Sequence, residues 1–245
     1  MRSRAPQSYL NTIKVMSEKK ELKDGANFKM MPFECSSNGM HGQYQWAKLK
    51  ARVDKIHAQL MAEVQEWRNQ GAQQTALMKS HRDSAVNSCV HYLRQQEERI
   101  KHEAPDGTSV GVDETNACVW TATIFGPAET LWDGGMFQVE LIFPPDFPDA
   151  PPYVHFLTGI YHPHISPLGV PYLRNLIMWN TLEPRDKSVS ALLQALINVL
   201  ALDPSPEPAT HLNVEAATLA FSRSDDDRKE YKRQVKKRVQ RSMDG

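Results

Sequence analysis

Met136-Phe137-Gln138-Val139-Glu140-Leu141-Ile142-Phe143, followed by Pro144-Pro145-Asp146-Phe147-Pro148, is the stretch that decides the fold. Phe137, Val139, Leu141 and Phe143 alternate with Gln138 and Glu140. That period of two predicts a strand with one buried face. Asp133-Gly134-Gly135 before it is turn chemistry, and the prolines after it break the ladder. Upstream, Cys118, Trp120, Thr121, Thr123 and Ile124 are strand formers that stop at Gly126-Pro127. Downstream, Pro151-Pro152 gives way to a short strand over Tyr153 to Phe156. Consecutive strands with short connections predict an antiparallel meander.

Outside the meander the period changes to that of a helix. Val189, Leu192, Leu193, Leu196, Ile197, Val199 and Leu200 predict a helix from Ser188 to Leu202, stopped by Pro204, Pro206 and Pro208. Val214 to Phe221 and Asp225 to Arg241 read as two more. The second has Asp225, Asp226 and Asp227 at its start and Lys236, Lys237, Arg238 and Arg241 near its end, an order that suits the helix dipole. Before the sheet, Val86, Val90, Leu93 and Ile100 predict a helix over 84–101, ended by Pro105-Asp106-Gly107. Earlier still, Trp46, Leu49, Val53, Ile56, Leu60, Val64 and Trp67 recur three and four apart, an amphipathic helix with Gly71 as its expected end or break. Residues 1–43 show no period and are expected to be an extended basic tail. The predicted class is α+β: residues 83–245 form the body, residues 44–82 a helical extension.

Charge divides the same way. The net charge of zero conceals +7 over residues 1–82 and −7 over residues 83–245. The basic part suits an acidic protein surface or the chain's own acidic body. Its aromatics, Tyr9, Phe28, Phe33 and Tyr44, do not interleave with cations as a nucleic-acid stacking surface does, so nucleic acid is disfavoured. Cys35, Cys89 and Cys118 are three cysteines without paired spacing, which argues against a disulfide scaffold or a zinc knuckle and fits a reducing intracellular compartment. Arg2, Arg4 and Lys14 give the first residues a faint mitochondrial-presequence character, which Pro6 interrupts. No apolar run approaches the roughly 18 residues that span a bilayer. His155, His162 and His164 lack the thiol or paired carboxylates that would complete a metal site.

Taken in order, Thr123-Ile124-Phe125-Gly126-Pro127, Thr130, Asp133-Gly134-Gly135-Met136-Phe137, the proline-rich break, Tyr161-His162-Pro163, Trp179, Asp203-Pro204-Ser205-Pro206 and Asn213-x-Glu215-Ala216-Ala217 resemble the ubiquitin-conjugating-enzyme family. The resemblance covers roughly residues 84–242. It implies a fold with a first helix, a four-stranded meander and C-terminal helices. It also implies a chemistry in which a cysteine carries ubiquitin as a thioester and passes it to a lysine.

Two positions depart from that pattern. His164 stands where the family has the asparagine after His-Pro. Counting eight residues on, through Gly169-Val170-Pro171, reaches Tyr172 in the family's cysteine position. A phenol with a reference pKa of about 10 forms no thioester. Glu207 is the nearest match to the acidic residue that the family often uses beside the incoming lysine. The expectation is therefore a degenerate site at His162, Pro163, His164 and Tyr172, with no catalytic residue, cofactor or metal. The protein is expected to be a non-catalytic structural or interaction component of a large assembly, cytoskeletal or ribonucleoprotein, inside the cell in the cytoplasm or cytoskeleton, with the mitochondrion as the alternative location. Trp46, Leu49, Val53, Ile56, Leu60 and Trp67 are its candidate docking face. The alternatives are a regulatory variant that binds ubiquitin or an active conjugating enzyme, and an active enzyme with an atypical nucleophile.

Overall fold

The computed structural model describes residues 46–80 and 89–244, with the backbone alone for residues 46–49 and Ser80. The expected tail over 1–43 lies outside the described residues. The chain divides into two compact units, residues 1–62 and 63–245. Of the first, only the beginning of helix α1 (Trp46–Ser80) is described, with Val53 buried and Ile56 exposed.

In the second unit, α1 continues and is followed by α2 (Cys89–Glu103), β1 (Thr108–Asp113), β2 (Asn116–Phe125), β3 (Met136–Ile142) and β4 (Tyr153–Phe156). The strands pair antiparallel in the order β1-β2-β3-β4, the expected meander. Its core register sets Phe137, Val139 and Leu141 opposite Ile124, Ala122 and Trp120, all out of water. After the sheet come a one-turn helix α3 (Arg174–Ile177), α4 (Val189–Ala201), α5 (Val214–Ala220) and α6 (Asp225–Met243). Leu192, Leu193, Leu196 and Leu200 of α4 join Val90, Leu93 and Ile100 of α2 and the sheet in one apolar cluster. Each fully buried leucine there contributes about 1.5–3 kcal/mol. The proline-rich crossover from β3 to β4 folds into this core through its aromatics. Phe147 lies 4.7 Å from Phe143, 5.5 Å from Tyr92 and 5.9 Å from Trp179, and Trp179 Nε1 donates to the Pro148 carbonyl at 2.8 Å.

Helix α1 does not stop at Gly71. It runs on to Ser80. A Cβ at position 71 would lie 2.6 Å from Asn116 Oδ1 and 2.7 Å from Cys118 Cβ. The glycine is a place of close approach between helix and strand, which overrides its poor helix propensity. Its neighbours along the same stripe also bond to the sheet. Arg68 Nη2 meets Glu140 Oε2 at 2.6 Å, and the Arg68 carbonyl accepts from Asn116 Nδ2 at 2.8 Å. Thr75 Oγ1 donates to the Gly71 carbonyl at 2.7 Å and accepts from Ala117 N at 3.0 Å. Lys79 Nζ donates to the Glu114 carbonyl at 2.6 Å. Residues 68, 71, 75 and 79 thus fasten the second half of α1 along the start of β2.

Candidate functional site

The segment after β4 returns on itself. Ile165 bridges Pro171, and the amide of Tyr172 donates to the carbonyl of His164 at 2.7 Å. The spacing of eight residues therefore closes a small hairpin with His164 and Tyr172 side by side, ring centroids 6.3 Å apart. The hairpin is pinned from outside. Phe156 N donates to the Gly169 carbonyl at 2.7 Å, and Gly169 takes φ +82° at the turn. Ser166 Oγ accepts from Val170 N at 3.0 Å. On the other side, the Pro163 carbonyl accepts from Leu212 N at 2.8 Å and Asn213 N at 3.0 Å. Asn213 in turn caps α5 by accepting from Ala216 N. His162, Pro163, His164 and Tyr172 thus lie together in this loop.

His162 is fully buried, its Nδ1 accepting from His164 N at 2.9 Å. Nδ1 therefore carries no proton and Nε2 does. Burial is the main force holding this imidazole down to about 3, with His164 and His211 pushing the same way and the Val199 carbonyl opposing. His164 is half-buried, and burial lowers its pKa as well. Its tautomer follows from its partners. Nε2 lies 3.3 Å from the Ser205 carbonyl, which only accepts, and 3.1 Å from Thr210 Oγ1, whose own proton goes to the Glu207 carbonyl at 2.8 Å. Nε2 of His164 is consequently the donor. His211 Nε2 donates to the same Ser205 carbonyl at 2.9 Å.

These rings continue outward. Trp132 lies 4.8 Å from His162, His162 lies 5.2 Å from His164, His164 stacks at 5.9 Å on His211, and His211 stacks at 5.1 Å on Phe221. Ser205 lay within the quoted Asp203-Pro204-Ser205-Pro206 motif but with no role given to it, and the sequence pattern pointed to none of Trp132, Thr210, His211 or Phe221 as members of this site. Thr210, His211 and Phe221 come from a different part of the chain, and nothing in their spacing marks them. His155 is not in this row; its Nδ1 faces Glu140 Oε2 at 3.6 Å on the sheet, beside Arg68. Among the described residues no three His, Cys, Asp or Glu are arranged to hold a metal. Glu207 is exposed, and its carbonyl serves the Thr210 bonds.

The described cysteines lie in the core. Cys89 opens α2, Cys118 lies on β2, and their sulfurs are 3.9 Å apart with 4% and 1% exposure. The Cys89 thiol is held well above its ordinary range, first by its hydrogen bond to Cys118 and then by burial. Of the candidate docking face, Val53 is buried, Leu60 and Trp67 half-buried and Ile56 exposed, while the side chains of Trp46 and Leu49 lie outside the described residues.

A four-stranded meander flanked by α2 on one end of the chain and α4 to α6 on the other, with an His-Pro loop folded against the start of α5, defines an α+β conjugating-enzyme body. A family model of ubiquitin-conjugating enzymes matches residues 92–239. The chain is 34% identical over 152 residues to ubiquitin-conjugating enzyme E2 2 of Saccharomyces cerevisiae, a match covering 62% of this chain and 83% of that protein. It is 33% identical over 144 residues to ubiquitin-conjugating enzyme E2 3 of Arabidopsis thaliana, covering 59% and 89%. A third relative, ubiquitin-conjugating enzyme E2 S of Nematostella vectensis, is 35% identical over 127 residues, covering 52% and 59%. The chain belongs to the ubiquitin-conjugating enzyme family.

Proposed function

We propose that this chain is a non-catalytic member of its family, serving as a structural or interaction component of a larger protein assembly in the cytoplasm or cytoskeleton. One observation carries the reading: the residue facing His164 across the hairpin is Tyr172. Thioester chemistry needs a thiolate at the surface, and a phenol supplies none. The buried positions of Cys89 and Cys118 support the reading further, because an activated carrier protein has no access to a core sulfur. The apolar seam of α1, with Trp46, Leu49, Val53, Ile56, Leu60 and Trp67, is the proposed docking face, and Ile56, Leu60 and Trp67 are the described side chains of it that reach solvent.

The test is a charging reaction with ubiquitin, its activating enzyme and ATP, resolved on a non-reducing gel beside an active relative. The expected result is no adduct on this chain while the relative charges. An adduct, whether thiol-sensitive or not, would overturn the proposal and point to an atypical nucleophile. A second reading, a regulatory variant that binds ubiquitin or an active conjugating enzyme, draws support from the match across residues 92–239. Saturable chemical-shift changes in labelled ubiquitin on adding this chain would favour it over the scaffold.

A further inference from the structure

Helix α6 spends one side on the core and leaves a strongly charged strip on the other. Tyr231, Val235 and Val239 are buried. Residues 231–243 contain Lys232, Arg233, Lys236, Lys237, Arg238 and Arg241 and no acid, and all of these except Arg238 are exposed. Arg233 pairs with Glu230 at 2.7 Å. Lys232, Lys236, Lys237 and Arg241 make no ion pair within 4.0 Å among the described residues, and Lys237 acts on Glu230 only at longer range. Arg233, Lys237 and Arg241 follow one another every fourth residue, about 6 Å apart along the axis. The rest of the body has the opposite sign in sequence: residues 83–224 carry 7 Lys+Arg against 17 Asp+Glu.

We propose that this strip docks an acidic segment of a partner polypeptide, whose carboxylates pair with Lys236, Lys237 and Arg241. The partner's shape follows from what borders the strip. A bilayer surface calls for a row of apolar side chains beside the cations, and Tyr231, Val235 and Val239 are already in the core, which leaves Met243 at the tip as the exposed apolar side chain of α6. Single-stranded nucleic acid calls for exposed aromatic rings, and the strip has none. A duplex is a broad, dense polyanion that, running along α6, would meet the exposed Asp225 and Asp226 as well as the strip. A narrow acidic peptide laid on the last turns of α6 avoids those charges and meets one acid, Asp244, beyond the end of the strip. The assignment is independent of whether the hairpin carries chemistry.

The experiment is fluorescence anisotropy of a fluorescein-labelled oligoglutamate peptide titrated with the full chain. Expected are binding that weakens as salt is raised, a loss of about tenfold or more in Lys236→Glu/Lys237→Glu/Arg241→Glu, and retention in Lys236→Arg/Lys237→Arg. Duplex DNA and phosphatidylserine vesicles serve as competitors. Unchanged peptide binding in the charge-reversed chain would overturn the proposal, because the basic residues of 1–82 would then be holding the peptide. Tighter binding of duplex or vesicles through the same three residues would overturn it too. Should the reversed chain fail a circular-dichroism check of folding, the neutral variant Lys236→Gln/Lys237→Gln/Arg241→Gln is read by the same criteria.

Discussion

Gly169 answers two demands at once: a left-handed backbone at the tip of the hairpin and the approach of the Phe156 carbonyl to where a side chain would begin. Either demand alone excludes a β-carbon at low cost. Gly169→Ala is expected to destabilise the domain by about 2–4 kcal/mol, measured as a drop in the urea midpoint against wild type. His162 makes a prediction about pH. Its folded pKa of about 3 lies below the value near 6.5 of an unfolded histidine. Between those values the unfolded chain takes up a proton that the fold refuses, so stability falls as pH is lowered through that window. For this residue alone the loss from pH 7 to pH 5 is about 2 kcal/mol. His162→Asn keeps an acceptor toward His164 N while removing the titration. Urea unfolding at the two pH values should show a shallower slope in the variant; an equal slope would assign the pH dependence to other groups.

At the scale of the element, the decisive case is α1. Its apolar seam was legible in the sequence, because period is a local property. The meaning of Gly71 was not, because it depends on Asn116 and Cys118, forty-odd residues away in the chain. The polar fastening of the helix was hidden for the same reason: Arg68 finds Glu140 and Thr75 finds Ala117 only after the sheet exists. Thr75→Val tests this fastening. It keeps the shape, removes the acceptor of a buried amide, and is expected to cost about 1–3 kcal/mol, read from thermal or urea unfolding. The strands behaved in the opposite way. The alternation in β3 and the turn chemistry before it announced both its ends, since each residue's face is fixed by its own parity. The count of eight residues marked Tyr172 as the position to compare with His164, through the family resemblance; that the two are joined by a hairpin was not legible, since it depends on the pairing of Ile165 with Pro171. The rings of His211 and Phe221 that extend it were not legible either, since they reach it through tertiary contact alone.

For the whole molecule, the division between residues 1–62 and 63–245 makes the boundary a matter for truncation. A chain beginning at Glu63 is expected to unfold with the same cooperativity as the full chain. A chain beginning after Ser80 leaves Ala117 N and Asn116 without their helix partners and uncovers Cys118, and its urea midpoint is expected to fall clearly below that of the longer fragment. Equal midpoints for the two fragments would show that the second half of α1 contributes nothing to the body.

The sulfur pair beneath α1 gives the protein a clock of its own. Cys89 and Cys118 are shielded from water, one at the start of α2 and the other directly under Gly71. A maleimide reaches them only in the moments when that corner of the core opens. With Cys35 replaced by serine, and with enough maleimide that labelling outpaces reclosing, the rate at which the chain gains label becomes a direct count of those openings. Any ligand that closes the corner, on whichever face it binds, will announce itself as a slower count.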